Sequence, residues 1–267
     1  MLNIVRASSK AMLIICALFA SNYANAAIAF SCHAVSGKTV TPLVELYTSE
    51  GCSSCPPADR WLSKQVRRTN INANFLAFHV DYWDDIGWPD RFASPLYGQR
   101  QSLKVNHAGS STVYTPQVMI GSQSTVNWRS DAEVVQQLKH ANVELALPVI
   151  ELHATGAEST WQTKARLTLT SKTPDAQWFI AVYQDGLSSQ VRAGENKGIL
   201  LTHDRVVRQW LGPYRAGVGV TEKTIVITLP KMASPDLVGL LLVLESARTG
   251  QVYQSLKLPL AHCKTSG

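Results

Sequence analysis

The sequence predicts an α/β domain followed by an antiparallel, sandwich-like β domain. Three observations carry that reading. An apolar run at 43–47 leads through a loop, Thr48-Ser49-Glu50-Gly51-Cys52-Ser53-Ser54-Cys55-Pro56-Pro57, into a helical pattern at 58–66. Further strand-like runs at 74–83 and 113–121 alternate with helix-like segments, as they do in α/β chains. From Leu147 onward the pattern changes to period-2 alternation broken by turn signals such as Asp185-Gly186, the habit of an antiparallel sandwich. The expected organisation is a signal peptide over 1–26, the α/β domain over 40–146 and the β-rich domain over 147–263.

The first strand carries one charge, Glu45, a few residues before Cys52. It is either a solvated edge carboxylate or a partly buried acid relaying protons to the cysteines. Cys52 stands where the unpaired N–H groups and dipole of the next helix favour a thiolate. Pro56 and Pro57 suit that helix's first turn, where a missing N–H costs little. The second strand runs into 81–90, rich in aromatics and carboxylates; Trp83 and Trp88 are read as substrate-facing, and His79 as a satisfied core residue. Residues 90–107 form a helical region with Phe92, Leu96, Leu103 and Val105 as apolar anchors, broken or kinked at Pro95 and Gly98. Ser130 and Glu133 make a capping box for a helix at 131–141. In the second half, 161–169 and 224–229 alternate and 240–244 is a buried run. His203, Asp204 and Arg205 are read as a solvated turn rather than a polar site.

Arg6 and Lys10, an apolar stretch at 11–20 and Ala24-Asn25-Ala26 have the form of a secretory signal, too short in its apolar part for comfortable membrane spanning. The expected location is therefore periplasmic or secreted, with no membrane span once the signal is removed. Net charge is +6, falling to +4 when Arg6 and Lys10 leave, and the basic residues are scattered; nucleic acid is not an expected partner. Cys16 leaves with the signal, so Cys32, Cys52, Cys55 and Cys263 remain, with three possible pairings. If Cys52 and Cys55 pair locally, Cys32 bridges to Cys263 or both stay free. An oxidising destination favours one structural bridge and one redox-active pair.

A C-x-x-C pair serves thiol–disulfide exchange or zinc, but no second C-x-x-C or H-x-x-x-H supplies zinc ligands. The leading expectation is a thiol–disulfide oxidoreductase needing no cofactor, acting on a disulfide-bearing protein or a small thiol, with a separate redox partner. Two other readings stand beside it. One is a soft-metal (copper) carrier with His79 or His107 as third ligand. The other is a binding module whose disulfide is structural.

The stretch 48–57, together with Thr115-Pro116 and the strand after it, resembles a thioredoxin-like fold. That resemblance implies Cys52 as the attacking and Cys55 as the resolving cysteine. It also implies a cis Pro116 facing them, with Thr115 beside the bound substrate chain. More of the sequence resembles the secreted bacterial family catalogued as domain of unknown function 1223. The motifs are 48–59, His79-Val80-Asp81-Tyr82-Trp83-Asp84, Gly87-Trp88, Arg100-Gln101, Tyr114-Thr115-Pro116-Gln117, Gly194-Glu195-Asn196 and Val206-Val207-Arg208. Lys197-Gly198-Ile199 and Leu103-Lys104 depart from the family pattern.

Overall fold

The computed structural model describes residues 29–121, 126–143, 145–146, 148–170, 173, 175–231 and 233–265. The expected signal peptide at 1–26 lies outside the described residues. The first half holds β1 (Phe30–Val35), β2 (Leu43–Thr48), α1 (Pro56–Val66), β3 (Asn74–His79), α2 (Pro95–His107), β4 (Gln117–Ile120) and α3 (Asp131–Asn142). Then come β5 (Val149–Ala157), β6 (Thr160–Leu169), β7 (Ala176–Gln184), β8 (Leu187–Gln190) and β9 (Leu200–His203). The chain closes with β10 (Val206–Arg215), β11 (Gly219–Thr228), β12 (Val238–Ser246), β13 (Val252–Pro259) and β14 (Lys264–Thr265).

Every residue of β2 and β3 is buried, as expected of strands covered on both faces. Val44, Leu46, Phe75 and Ala77 pack against α1 and α3 through Trp61, Leu62, Val134 and Leu138. The alternate residues Leu43, Tyr47, Leu76 and Phe78 face Tyr97 and Val105 of α2. These strands belong to a seven-stranded sheet of order β13-β12-β7-β10-β3-β2-β4. β3 runs parallel to both β2 and β10, and the other pairs are antiparallel. A five-stranded antiparallel sheet, β11-β6-β5-β1-β14, lies over the other end. Trp178, Ile180, Val182, Leu240, Leu242 and Leu244 share one core with its Ile150, Leu152, Trp161 and Leu167. Strand β6 alternates, burying Trp161, Thr163, Ala165 and Leu167 and exposing Gln162, Lys164 and Arg166.

This arrangement overturns the expected fold class, an α/β thioredoxin-like domain followed by a β sandwich. The described chain is mostly β, with fourteen strands and three α-helices, and its largest sheet is mixed. The sheet does not end with the strands of the first half: Val206 of β10 pairs with Ala77 of β3, and β7, β12 and β13 follow. Local periodicity reports which face of a strand is buried, not which strand lies beside it.

A second correction concerns α2. Pro95 opens this helix rather than breaking it, and the Ser94 hydroxyl caps it by accepting from the Leu96 N–H at 3.4 Å. Phe92 and Val105 are buried as expected, whereas Leu96 and Leu103 are exposed. Both line a cavity of about 310 Å³ over Phe179 and Trp210.

Between α2 and the sheet lie four buried charges, Arg100 and Lys104 from the helix and Glu45 and Glu245 from β2 and β12. Arg100 bridges Glu45 at 2.8 Å and Glu245 at 3.1 Å, and Lys104 reaches Glu245 at 2.7 Å. Burial works against the Glu245 carboxylate, but Arg100 and Lys104 outweigh it and hold its pKa at about 2. A depressed carboxylate stabilises the fold fully above its unfolded value, near 4.3, and that contribution is lost as pH falls towards 2. The urea midpoint, measured from pH 6 downward, is therefore expected to drop below about pH 4, by about 1.4 kcal/mol of stability per pH unit for each proton taken up. A midpoint that stays flat to pH 2.5 would contradict this reading.

Candidate functional site

Strand β2 ends at Thr48, and the chain turns through the cysteine loop into α1, whose N-cap is Cys55. Cys55 has helical dihedrals, φ −78° and ψ −38°, so it already lies in register with the helix that follows. Its carbonyl accepts from the N–H groups of Ala58 and Asp59. Cys52 and Cys55 form a disulfide, and both residues are wholly buried, while Ser53 and Ser54 between them are exposed. The Cys52 Sγ lies 3.3 Å from the Ser54 hydroxyl.

Residues from across the chain hold this loop. Asn196 donates to the carbonyls of Glu50 at 2.8 Å and Cys52 at 3.0 Å. Glu195 accepts from the Ser53 N–H at 2.9 Å. Both stand at the tip of the two-stranded ribbon β8-β9, which pairs with neither large sheet. Gly194, at φ +70°, lets the tip approach closely: a Cβ there would sit 3.2 Å from the Cβ of Trp88.

Behind the loop is a buried polar cluster. His79 Nδ1 lies 2.6 Å from Asp90, which also accepts from the Glu50 N–H at 2.8 Å. His203 Nε2 lies 3.2 Å from Glu50, and its Nδ1 is 3.8 Å from Asp59, beyond hydrogen-bond range. The two imidazole rings meet edge to face with centroids 4.9 Å apart. Burial alone would lower the His79 pKa, but the charge and hydrogen bond of Asp90 raise it. Burial opposes ionisation of Asp90, yet His79 and two backbone N–H groups bring its pKa below the usual value. Burial likewise opposes Glu50, but hydrogen bonds from His203 and Trp88 leave its carboxyl lowered. At Asp59 burial prevails over the pull of His203 and His79, and its carboxyl is raised.

The residues singled out in the sequence divide between this site and other places. Trp83 donates to the Thr115 hydroxyl at 2.8 Å, and a Cβ on Gly51 would lie 3.2 Å from its own. Trp88 donates to Glu50 at 2.9 Å. Both tryptophans are half-buried. The Thr115–Pro116 peptide is cis, and Pro116 is buried immediately before β4. Glu45 is on the α2 face of the sheet, bonded to Arg100 and to the Tyr47 hydroxyl at 2.6 Å. Cys32 and Cys263 are bonded to each other across 231 residues. His79 is paired at Nδ1 while its Nε2 has no hydrogen-bond partner among the described residues. No group of three or more His, Cys, Asp or Glu side chains among the described residues could hold a metal ion.

The sequence reading gave no role to Asp59, Asp90 or Asn196 and missed the burial of His203. Two of these had a local signal. Asp59 follows Cys55 by four residues and so shares its helix face. His203 alternates with buried Leu201 and so shares its strand face. Asn196 had none, being 144 residues from the carbonyl that it binds.

The fold and site define a mostly β protein with a short-range disulfide at a strand-to-helix turn, clamped from a distant ribbon. The chain belongs to the family described as "Protein of unknown function (DUF1223)", which it matches over residues 43–244. Two solved structures share its fold. One is the protein AGR_C_4864 of Agrobacterium tumefaciens, 22% identical, with a TM-score of 0.60 over 87% of this chain and 100% of that one. The other is HBP35 of Porphyromonas gingivalis, 12% identical, with a TM-score of 0.61 over 87% of this chain and 79% of that one. No curated protein matches the sequence. Two disulfides are compatible with a secreted protein, and no described helix is long and apolar enough to cross a membrane.

Proposed function

We propose that the protein is a periplasmic or secreted thiol–disulfide oxidoreductase that exchanges disulfides with a protein or a small thiol. The observation that carries the reading is the Cys52–Cys55 disulfide at the first turn of α1, where helix N–H groups and the dipole favour a thiolate. In the reduced form Cys52 attacks a substrate disulfide, and Cys55 releases the product by attacking Cys52 in the mixed disulfide. Trp83 and Trp88 contact the loop at Gly51 and Glu50, Thr115 is bonded to Trp83, and these three are the residues proposed to meet a substrate chain. Since both cysteines are buried, exchange requires the loop to open, and the bonds of the Glu195–Asn196 tip to the Ser53 N–H and the Cys52 carbonyl are among those that hold it closed.

Equilibration with glutathione is expected to give a reduction potential between about −120 and −270 mV, the span of exchange enzymes. The Cys55→Ser variant is expected to accumulate a mixed disulfide through Cys52, and Cys52→Ser to form none. The complete burial of both cysteines favours a second reading, a binding module with a structural disulfide. A potential below about −300 mV, with no trapped mixed disulfide, would select that reading.

A further inference from the structure

We propose that Asp59 exchanges a proton with the Cys55 thiol and so serves as acid and base for the resolving step, an inference that rests on the exchange function above. Asp59 follows Cys55 by four residues, and the helical dihedrals of Cys55 put the two side chains on one face of α1. The Asp59 N–H donates to the Cys55 carbonyl at 3.1 Å, which fixes that turn. Both residues are buried, Cys55 completely and Asp59 to within 5%.

Each element around Asp59 contributes a polar or charged group. These are Thr48 from β2, His79 from β3, Asp90 from the segment after β3 and His203 from β9, with Glu50 of the cysteine loop bound to His203. Glu50 and Asp90 already have close ionic partners in His203 and His79, at 3.2 and 2.6 Å. The ionic contact of Asp59 is longer, with His203 Nδ1 at 3.8 Å, and the Thr48 hydroxyl is its neutral neighbour. Burial raises its carboxyl, which brings its affinity for a proton nearer to that of a thiol. Glu45, the acid singled out in the sequence, is instead engaged by Arg100 and Tyr47.

The reduced Cys52–Cys55 pair is the reductant and the substrate disulfide is the oxidant. Cys52 thiolate bonds to one substrate sulfur, and the other leaves as a thiolate. Asp59 carboxylate then takes the Cys55 proton, and the Cys55 sulfur attacks Cys52. The Cys52–substrate bond breaks, and the second substrate sulfur leaves as a thiolate. In the reverse direction Asp59 gives its proton to departing Cys55.

The test is the pH profile of the resolving step, followed in the full chain by preparing the Cys52–glutathione mixed disulfide and quenching its decay with acid. In the wild type the rate is expected to reach its plateau at least one pH unit below the ordinary thiol value of about 8.5. In Asp59→Asn the midpoint should move up to that value, with a rate at pH 7 lower by about 10²-fold. Alkylation of Cys52 in the reduced protein should change less than threefold, which a collapsed site would not allow. A wild-type midpoint already at 8.5, or an unchanged profile in Asp59→Asn, would overturn the inference. That result, with exchange intact, leaves the oxidoreductase reading standing. Absence of any glutathione exchange in the wild type would instead remove both.

Discussion

Arg100→Met is expected to lower the free energy of unfolding by about 3–5 kcal/mol, the range found when one member of a buried ionic group is removed. Arg100 makes two bonds to Glu45, at 2.9 and 2.8 Å, and two to Glu245, at 3.3 and 3.1 Å. Its guanidinium carbon also lies 4.3 Å from the Trp210 ring centroid. Methionine fills much of the same volume but leaves two buried carboxylates to one ammonium. Lys104 would still hold Glu245 at 2.7 Å, whereas its distance to Glu45 is 3.8 Å. Glu45 is therefore the group left without adequate compensation. Adding Glu45→Gln to Arg100→Met should recover part of the loss, because the uncompensated charge is then gone. Urea titration at pH 7 measures both, and a loss under about 1 kcal/mol for the single variant would show that the cluster contributes little.

Removing the terminal bridge is the second large effect. Cys32 and Cys263 close a loop of 231 residues, for which the chain-entropy model gives roughly 5 kcal/mol. The same relation assigns the short Cys52–Cys55 ring only about 2 kcal/mol. The Cys32→Ala/Cys263→Ala variant should thus be destabilised more than Cys52→Ala/Cys55→Ala under oxidising conditions. Partial compensation is present, because Phe30 and Ser31 of β1 also pair with Thr265 and Lys264 of β14. Equal unfolding midpoints for the two variants would mean that those strand pairs, not the bridge, hold the ends.

What could be read from the sequence was local. The strand–cysteine loop–helix unit, the Ser130 cap and the alternation of β6 all follow from residues within one element, and each is present. The Ser130 hydroxyl accepts from the Glu133 N–H at 3.3 Å. Composition could not reveal that β10 lies beside β3, because parallel pairing leaves no turn between the partners to mark it. The same limit hid the site's outer half. His203 is 153 residues from Glu50, and in the sequence it stands next to Asp204 and Arg205, which suggests a solvated bend. Glu45 looked available to the cysteines because Arg100, 55 residues on, cannot be assigned to it by spacing.

The junction of β3 with β10 also sets an order of assembly. A ribosome delivers β2, β3 and β4 well before residue 206, so one edge of β3 has no permanent neighbour while much of the chain is still to be made. An open edge of this kind, built from Asn74-Phe75-Leu76-Ala77-Phe78-His79, is a template for strands of other molecules. The nascent chain is therefore most prone to aggregate in the interval between the appearance of β3 and the arrival of β10, and any delay in translation or transport within that interval prolongs the hazard.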